Sequence, residues 1–219
     1  MCGRYALAVE AEELVEAFDV PLPGFEVRPR FNVAPGEQAP VVAEDRRGRR
    51  MGLLTWGLVP AWQDDPAAGF INARSESVLD KPSFREAFKR RRCLVPASGF
   101  YEWKREEEGK VPYWIHPPGG GVISFAVIWE RWMRSGAEPR HTYAILTMAP
   151  NADVAPIHDR MPVVIAEADR GAWLNRATDD RGAMSLVHKS LPVSLVSYPV
   201  STRVNRPQED DAGLLEPVG

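Results

Sequence analysis

The 219-residue chain predicts an α+β fold built around antiparallel β-sheets. Strand-like runs follow one another over 92–97, 99–105, 111–116, 122–132 and 141–148, parted by Glu/Gly, Pro/Gly and Ser/Gly turns. The helical patterns between and around them are few and short, which favours an α+β arrangement over strict βαβ alternation. No glycine-rich strand-to-helix turn marks a dinucleotide or phosphate site.

The elements follow in order. Tyr5, Leu7 and Val9 alternate with Arg4, Ala6 and Ala8, as in a strand with one buried face. Residues 10–18 place Leu14, Val15 and Phe18 at helical spacing among glutamates, giving a short amphipathic helix that Pro21 and Pro23 end. Residues 21–40 hold five prolines and read as an irregular loop. Val41–Ala43 and Met51–Leu58 flank an Arg/Gly turn and form a hairpin. Residues 59–80 are mostly loop. Pro82 opens a helix running to about Arg91, with Phe84, Ala87 and Phe88 on one face. After the five strands, 150–162 is a proline-bounded loop, Val163–Ala166 a strand, 167–189 one or two helices, and 191–201 a last strand. Residues 1–207 are read as one domain, and 208–219 as an acidic tail carrying Glu209, Asp210, Asp211 and Glu216.

Bulk properties narrow the class. Hydrophobic residues make up 44% and charged residues 26%, ordinary for a globular chain with a sizeable core. No apolar run approaches the ~18–20 residues that span a bilayer, and no basic region followed by an apolar stretch marks a secretory signal. Two cysteines are too few for a disulfide framework, so a reducing cytoplasm is expected. The net charge of −3 argues against wholesale coating of nucleic acid. Basic runs at Arg46–Arg50 and Lys89–Arg92 still permit local basic surface.

Several polar residues sit in unusual company. Cys2 stands directly behind the start methionine. It is either a small residue at the edge of the first strand or, once Met1 is removed, an N-terminal cysteine with a free α-amine and a thiol. In "GFYEW", alternation puts Phe100 and Glu102 on one face and Tyr101 and Trp103 on the other. A carboxylate among aromatics is either paired with a core arginine or raised in pKa towards a proton shuttle. His158 lies in a loop pinned by Pro156 and Pro162, where function is often carried. In "GFINARSESV", Asn72 suits a substrate oxygen and Arg74 a phosphate, although a capped turn with a surface ion pair has the same pattern. In "WGLVPAW", Trp56 and Trp62 offer faces for unpaired bases, and Trp56, in a strand, reads better as core. No histidine has a neighbour at metal-ligand spacing, and Cys93 reads as a small buried hydrophobe.

In order, "MCGR" at 1–4, "FNVAPGE" at 31–37, "WGLVPAW" at 56–62, "NARSE" at 72–76, "RCLVPASGFYEW" at 92–103 and "HDRMP" at 158–162 resemble the SRAP (SOS-response-associated peptidase) family, whose members shield abasic sites in single-stranded DNA. The resemblance spans most of the chain, to about residue 165. It implies a compact domain with curved, mainly antiparallel sheets, a barrel-like core and a positively charged groove. It implies Cys2 as nucleophile after loss of Met1, with Asn72, Glu102 and His158 assisting. It also implies DNA contacts from Gly3, Arg4, Trp62, Arg74 and Arg160. The product would be a thiazolidine crosslink between Cys2 and the ring-opened abasic sugar, with lyase chemistry as a side reaction and peptidase-like activity limited to Met1. The expected partner is single-stranded DNA containing an abasic site. No cofactor, metal or membrane is called for, and a monomer is expected.

Two other readings stay open. An N-terminal-cysteine amidohydrolase of the glutamine amidotransferase type also begins Cys-Gly, but its oxyanion-binding Asn-Gly pair is missing from this sequence. A non-covalent single-strand binding module would make Cys2 incidental.

Overall fold

The computed structural model describes residues 2–65, 69–134, 138–189 and 194–218. Its centre is a closed five-stranded barrel. The strands are β3 (Gln38–Asp45), β4 (Gly48–Trp56), β6 (Arg92–Ala97), β9 (Ile123–Trp132) and β10 (Arg140–Met148). The hairpin partners β3 and β4 are antiparallel, β3 meets β6 at Val42↔Leu94, and β6 pairs β9 along its whole length. β9 pairs β10, and β10 closes the ring on β4 through a short parallel contact, Thr142↔Thr55 and Tyr143↔Trp56. Closure removes the exposed edges that an open sheet would leave. β5 (Asn72–Arg74) and β11 (Met161–Pro162) attach to the far end of β10.

A second sheet of five strands has the order β12–β8–β7–β1–β2. These are β12 (Val196–Pro199), β8 (Gly109–His116), β7 (Gly99–Glu106), β1 (Tyr5–Leu7) and β2 (Arg30–Val33). Alternation along its strands produces two apolar layers. Tyr5, Leu7, Phe100 and Ile115 face the barrel and join the main core. Ala6, Tyr101 and Trp114 face the other way, under Val200, Val204 and Leu214 of the carboxy-terminal segment. Gly99 is required at the β7 start, since a Cβ there would lie 2.5 Å from the Ile115 carbonyl oxygen.

The core between barrel and sheet is aromatic. Trp56, buried as its strand position predicts, stacks on Tyr143 at 6.3 Å between centroids, and Tyr5 packs against both Trp56 and Phe125. Four helices surround this body: α1 (Ala11–Phe18), α2 (Pro82–Arg90), α3 (Arg170–Leu174) and α4 (Asp180–Lys189). Phe88 of α2 meets Trp173 of α3 edge to face on the outside of the barrel.

Four sequence expectations need correction. α1 ends in a left-handed residue, Asp19 (φ 51°), before the prolines are reached. The proline-rich segment 21–40 is not wholly irregular: Arg30–Val33 forms the edge strand β2, and Pro40 sits within β3. Residues 163–166 are not a continuous strand. The ladder lies earlier, at Met161–Pro162, and Val164 adds only a bridge to Phe125. The last strand is shorter than 191–201; Val196–Pro199 is paired, and residues 191–193 lie outside the described residues. The acidic tail also packs against the domain. Leu214 is fully buried, and Asp210 binds β2. No helix among the described residues is long and apolar enough to cross a membrane.

Candidate active site

Cys2 enters β1 at its amino end and is fully buried. Its carbonyl oxygen accepts a hydrogen bond of 2.9 Å from Asn72 Nδ2, and its Sγ lies 4.0 Å from the Arg4 carbonyl oxygen. Asn72 stands on β5, which runs parallel to β10 in the register Asn72↔Ile145 and Arg74↔Thr147. A period of two turns Asn72 and Arg74 to one face and buries Ala73 on the other.

Glu102, on β7, is 2% exposed, a carboxylate buried in a strand. Its Oε2 lies 3.7 Å from His158 Nε2. Among the described residues the ion-pair neighbour of Glu102 is this histidine and not an arginine. His158 comes from the loop between β10 and β11. Asn151 Oδ1 and the Val154 carbonyl fold that loop into a tight turn, with His158 N donating to Val154 O at 3.0 Å. His158 Nδ1 accepts from the Arg160 amide at 3.0 Å, with Asp159 Oδ1 at 3.1 Å. His158 Nδ1 also lies 3.3 Å from the Arg160 carbonyl oxygen, and Nε2 is the ring nitrogen that faces Glu102.

Burial shifts all three groups. It raises the Cys2 thiol well above its ordinary value, and the Glu102 carboxylate adds to that rise. It pushes Glu102 up to about 7, and it lowers His158. Each shift favours the neutral form, as expected where water is excluded. A buried thiol, a carboxyl near its midpoint at neutral pH and a neutral imidazole suit proton transfer during attack by a nucleophile.

The residues expected to touch DNA divide into two groups. Arg74 is exposed and makes no ion pair with a described residue, and Trp62 is 62% exposed. Gly3 is partly exposed beside Cys2. By contrast, Arg160 is held bidentately by Glu76 at 2.6 and 2.9 Å and also donates to the Thr147 carbonyl. Arg4 turns inward, donating to Asn32 Oδ1 at 2.8 Å and to the Val204 carbonyl at 2.6 Å. Asn32 is a residue that sequence reasoning passed over. Its signal was an asparagine between Phe31 and Val33, a polar side chain where an apolar strand would bury it. Among the described residues no group of three or more His, Cys, Asp or Glu side chains could hold a metal ion.

Residues 1–207 match the family described as SOS response associated peptidase (SRAP). The chain belongs to the SRAP family. SRAP relatives include the abasic site processing protein YoqW of Bacillus subtilis, 37% identical over 222 residues, covering 99% of both chains. The abasic site processing protein HMCES of Gallus gallus is 33% identical, covering 87% of this chain and 67% of its own. A solved structure from Bacteroides thetaiotaomicron superposes with a TM-score of 0.86 at 22% identity, over 99% of this SRAP chain and all of that one. The barrel and second sheet are therefore the fold of this SRAP protein, as the resemblance implied.

Proposed function

We propose that this protein processes abasic sites in DNA by trapping the ring-opened sugar covalently on Cys2. The observation that carries the reading is that Asn72 holds the Cys2 backbone, Glu102 is close enough to act electrostatically on the Cys2 thiol, and His158 faces Glu102, four residues from separate segments of the chain. The names of the relatives, abasic site processing proteins from bacteria and from a bird, support the general activity.

The chemistry needs Cys2 at the amino terminus, so Met1 is removed first. An abasic site equilibrates between a closed sugar and an open aldehyde. A neutral amine adds to the aldehyde and loses water to give an imine. An α-amine of pKa ~7.7–8.0 is roughly a fifth to a third neutral at pH 7.4, whereas a lysine of pKa ~10.4 is only ~0.1% neutral. The thiol of the same residue then adds to the imine carbon as its proton is transferred to nitrogen. A five-membered thiazolidine results, favoured because the closure is intramolecular. Cys93, fully buried within β6, has no α-amine to contribute.

Each neighbour has a role in this scheme. His158, in its protonated form, donates a proton as the sugar ring opens and returns to the neutral imidazole that burial favours. Glu102 carries protons between thiol and amine. Asn72 fixes the backbone of Cys2 and so the direction of both reacting groups. Gly3 lets the DNA approach without a side chain in the way. Arg74 holds a phosphate and Trp62 takes a base on its face. Arg4 and Arg160 would have to exchange their present partners to hold DNA, so Arg74 is the principal phosphate contact.

The reading is tested with a single-stranded oligonucleotide carrying one abasic site, after intact mass confirms that Met1 is gone. A heat-resistant shifted band on a denaturing gel is expected. No band from protein with a confirmed amino-terminal Cys2 would overturn the crosslinking scheme, and glutamine hydrolysis would then be assayed. Arg74→Ala should weaken single-strand binding and flatten the plot of log affinity against log salt by about 0.7, the slope of one phosphate contact. An unchanged slope would remove Arg74 from the phosphate contacts.

A further inference from the structure

The carboxy-terminal segment reaches back to β2 and to Arg4, two residues after Cys2. Val204 is fully buried under the second sheet, and Trp103 Nε1 donates to Asn205 Oδ1 at 2.8 Å. Asn32, itself fully buried, donates through Nδ2 to the carbonyls of Val204, Arg206 and Glu209 at 3.3, 3.0 and 2.7 Å. The Asp210 carboxylate accepts the backbone amides of Phe31 and Asn32 at 2.6 and 3.0 Å and pairs with Arg30. Asp210 lies beyond the residues that match the family. Residues 204–210 and β2 are thus joined by a dense set of partly buried polar contacts, beside the apolar packing of Phe31 on the cluster that holds Val204.

Arg4 connects this arrangement to the nucleophile. Its guanidinium is bound by Asn32 and by the Val204 carbonyl, while its own carbonyl oxygen faces the Cys2 thiol and accepts from Tyr101 N at 2.9 Å. Among the described residues no carboxylate forms an ion pair with Arg4, and its Nε is buried without a hydrogen-bond partner. A half-buried cation held only by neutral acceptors depends on those acceptors staying in place. If they move, the guanidinium turns to water, and the two residues before it move as well.

We propose that residues 204–210 form a clasp that fixes Cys2 through Arg4, with Asn32 and Asp210 as positioning residues. The clasp acts on the placement of the amine and thiol, not on DNA affinity. This rests on the proposed function for its effect on rate, but the fixing of Cys2 is a property of the protein alone. Two readouts therefore separate the claims.

The first readout uses full-length protein and iodoacetamide, with peptide mass spectrometry giving the labelling rate of Cys2 relative to Cys93. Asn32→Ala and Asp210→Ala should each raise that ratio about tenfold or more, because local opening then exposes the thiol. Asp210→Asn, which keeps an acceptor for the two amides, should restore most of the protection. Phe88→Leu is the control for general loss of stability. It lowers the melting temperature on the outer face of the barrel and should leave the ratio unchanged. The second readout is the crosslinking rate at saturating abasic oligonucleotide. It should fall about tenfold in Asn32→Ala and Asp210→Ala, since a displacement of about 1 Å is enough to cost that much. Affinity for an oligonucleotide with an unreactive tetrahydrofuran site should stay within about twofold, a difference under 0.5 kcal/mol. A labelling ratio equal to wild type in both variants, or raised as much by Phe88→Leu, overturns the clasp. A wild-type protein that never crosslinks overturns the proposed function, and the labelling ratio still decides the clasp.

Discussion

Cys2→Ala is expected to form no heat-stable adduct with an abasic oligonucleotide while still cutting it. The variant keeps an α-amine once Met1 is removed, so the aldehyde is still attacked and an imine still forms. What is lost is the sulfur that closes the ring. The imine then loses the proton next to the former aldehyde carbon, and the 3′ phosphate leaves by β-elimination. Hydrolysis frees the protein and leaves a broken strand. Cys2 is fully buried, but exchanging a thiol for a hydrogen removes one heavy atom and costs about 1 kcal/mol, so the fold persists. The gel should show wild type as a shifted, intact species and the variant as cleaved DNA. Adding borohydride should recover an adduct from the variant, because reduction converts its imine to a stable amine. A heat-stable adduct from Cys2→Ala without borohydride would exclude the thiazolidine, and an uncut, unshifted oligonucleotide would exclude the amine.

The parts of this site that could be read from sequence were those whose chemistry conflicted with their surroundings. Glu102 stood among Phe100, Tyr101 and Trp103, and it is buried. Trp62 followed Pro60 in a loop and is exposed, whereas Trp56 ended a strand and is core. The five long strands from β6 to β10 agreed with their sequence runs within two residues, because alternation and turn residues reinforced one another. The roles of Arg4 and Arg160 were not legible in the same way. An arginine beside a motif reads as a phosphate contact, but its partner is set by what folds against it, and Asn32, Val204 and Glu76 lie 28, 200 and 84 residues away. Strand β2 was hidden for a related reason. Prolines flank it, and an edge strand needs only one ladder, so local propensity gives little sign of it. The barrel-like core came from the family resemblance and not from the local pattern, since closure depends on the parallel contact of β4 with β10 between residues far apart in the chain.

Glu102→Gln should slow crosslinking by about a hundredfold at neutral pH, the lower end of what a positioned acid–base group contributes. The carboxyl is pushed up to about 7 by burial, so in the proposed scheme it can take the thiol proton and return one to nitrogen near neutrality. The wild-type rate should rise through pH 7 as Glu102 ionises, and the variant should lose that rise. The same group affects stability with the opposite sign. Its ordinary value is 4.5, so between pH 4.5 and 7 the folded protein holds a proton that the unfolded chain has released. Stability then falls as pH rises through that window, and the full cost of ionising a buried carboxylate is carried above it. Glutamine cannot ionise. Relative to wild type, Glu102→Gln should therefore gain stability on going from pH 5 to pH 8, by an amount on the order of 2 kcal/mol. Urea midpoints at the two pH values measure it. A variant that is slower yet gains nothing at pH 8 would mean that Glu102 is already paired as an anion in the folded protein, and its part in proton transfer would have to be reassigned to His158.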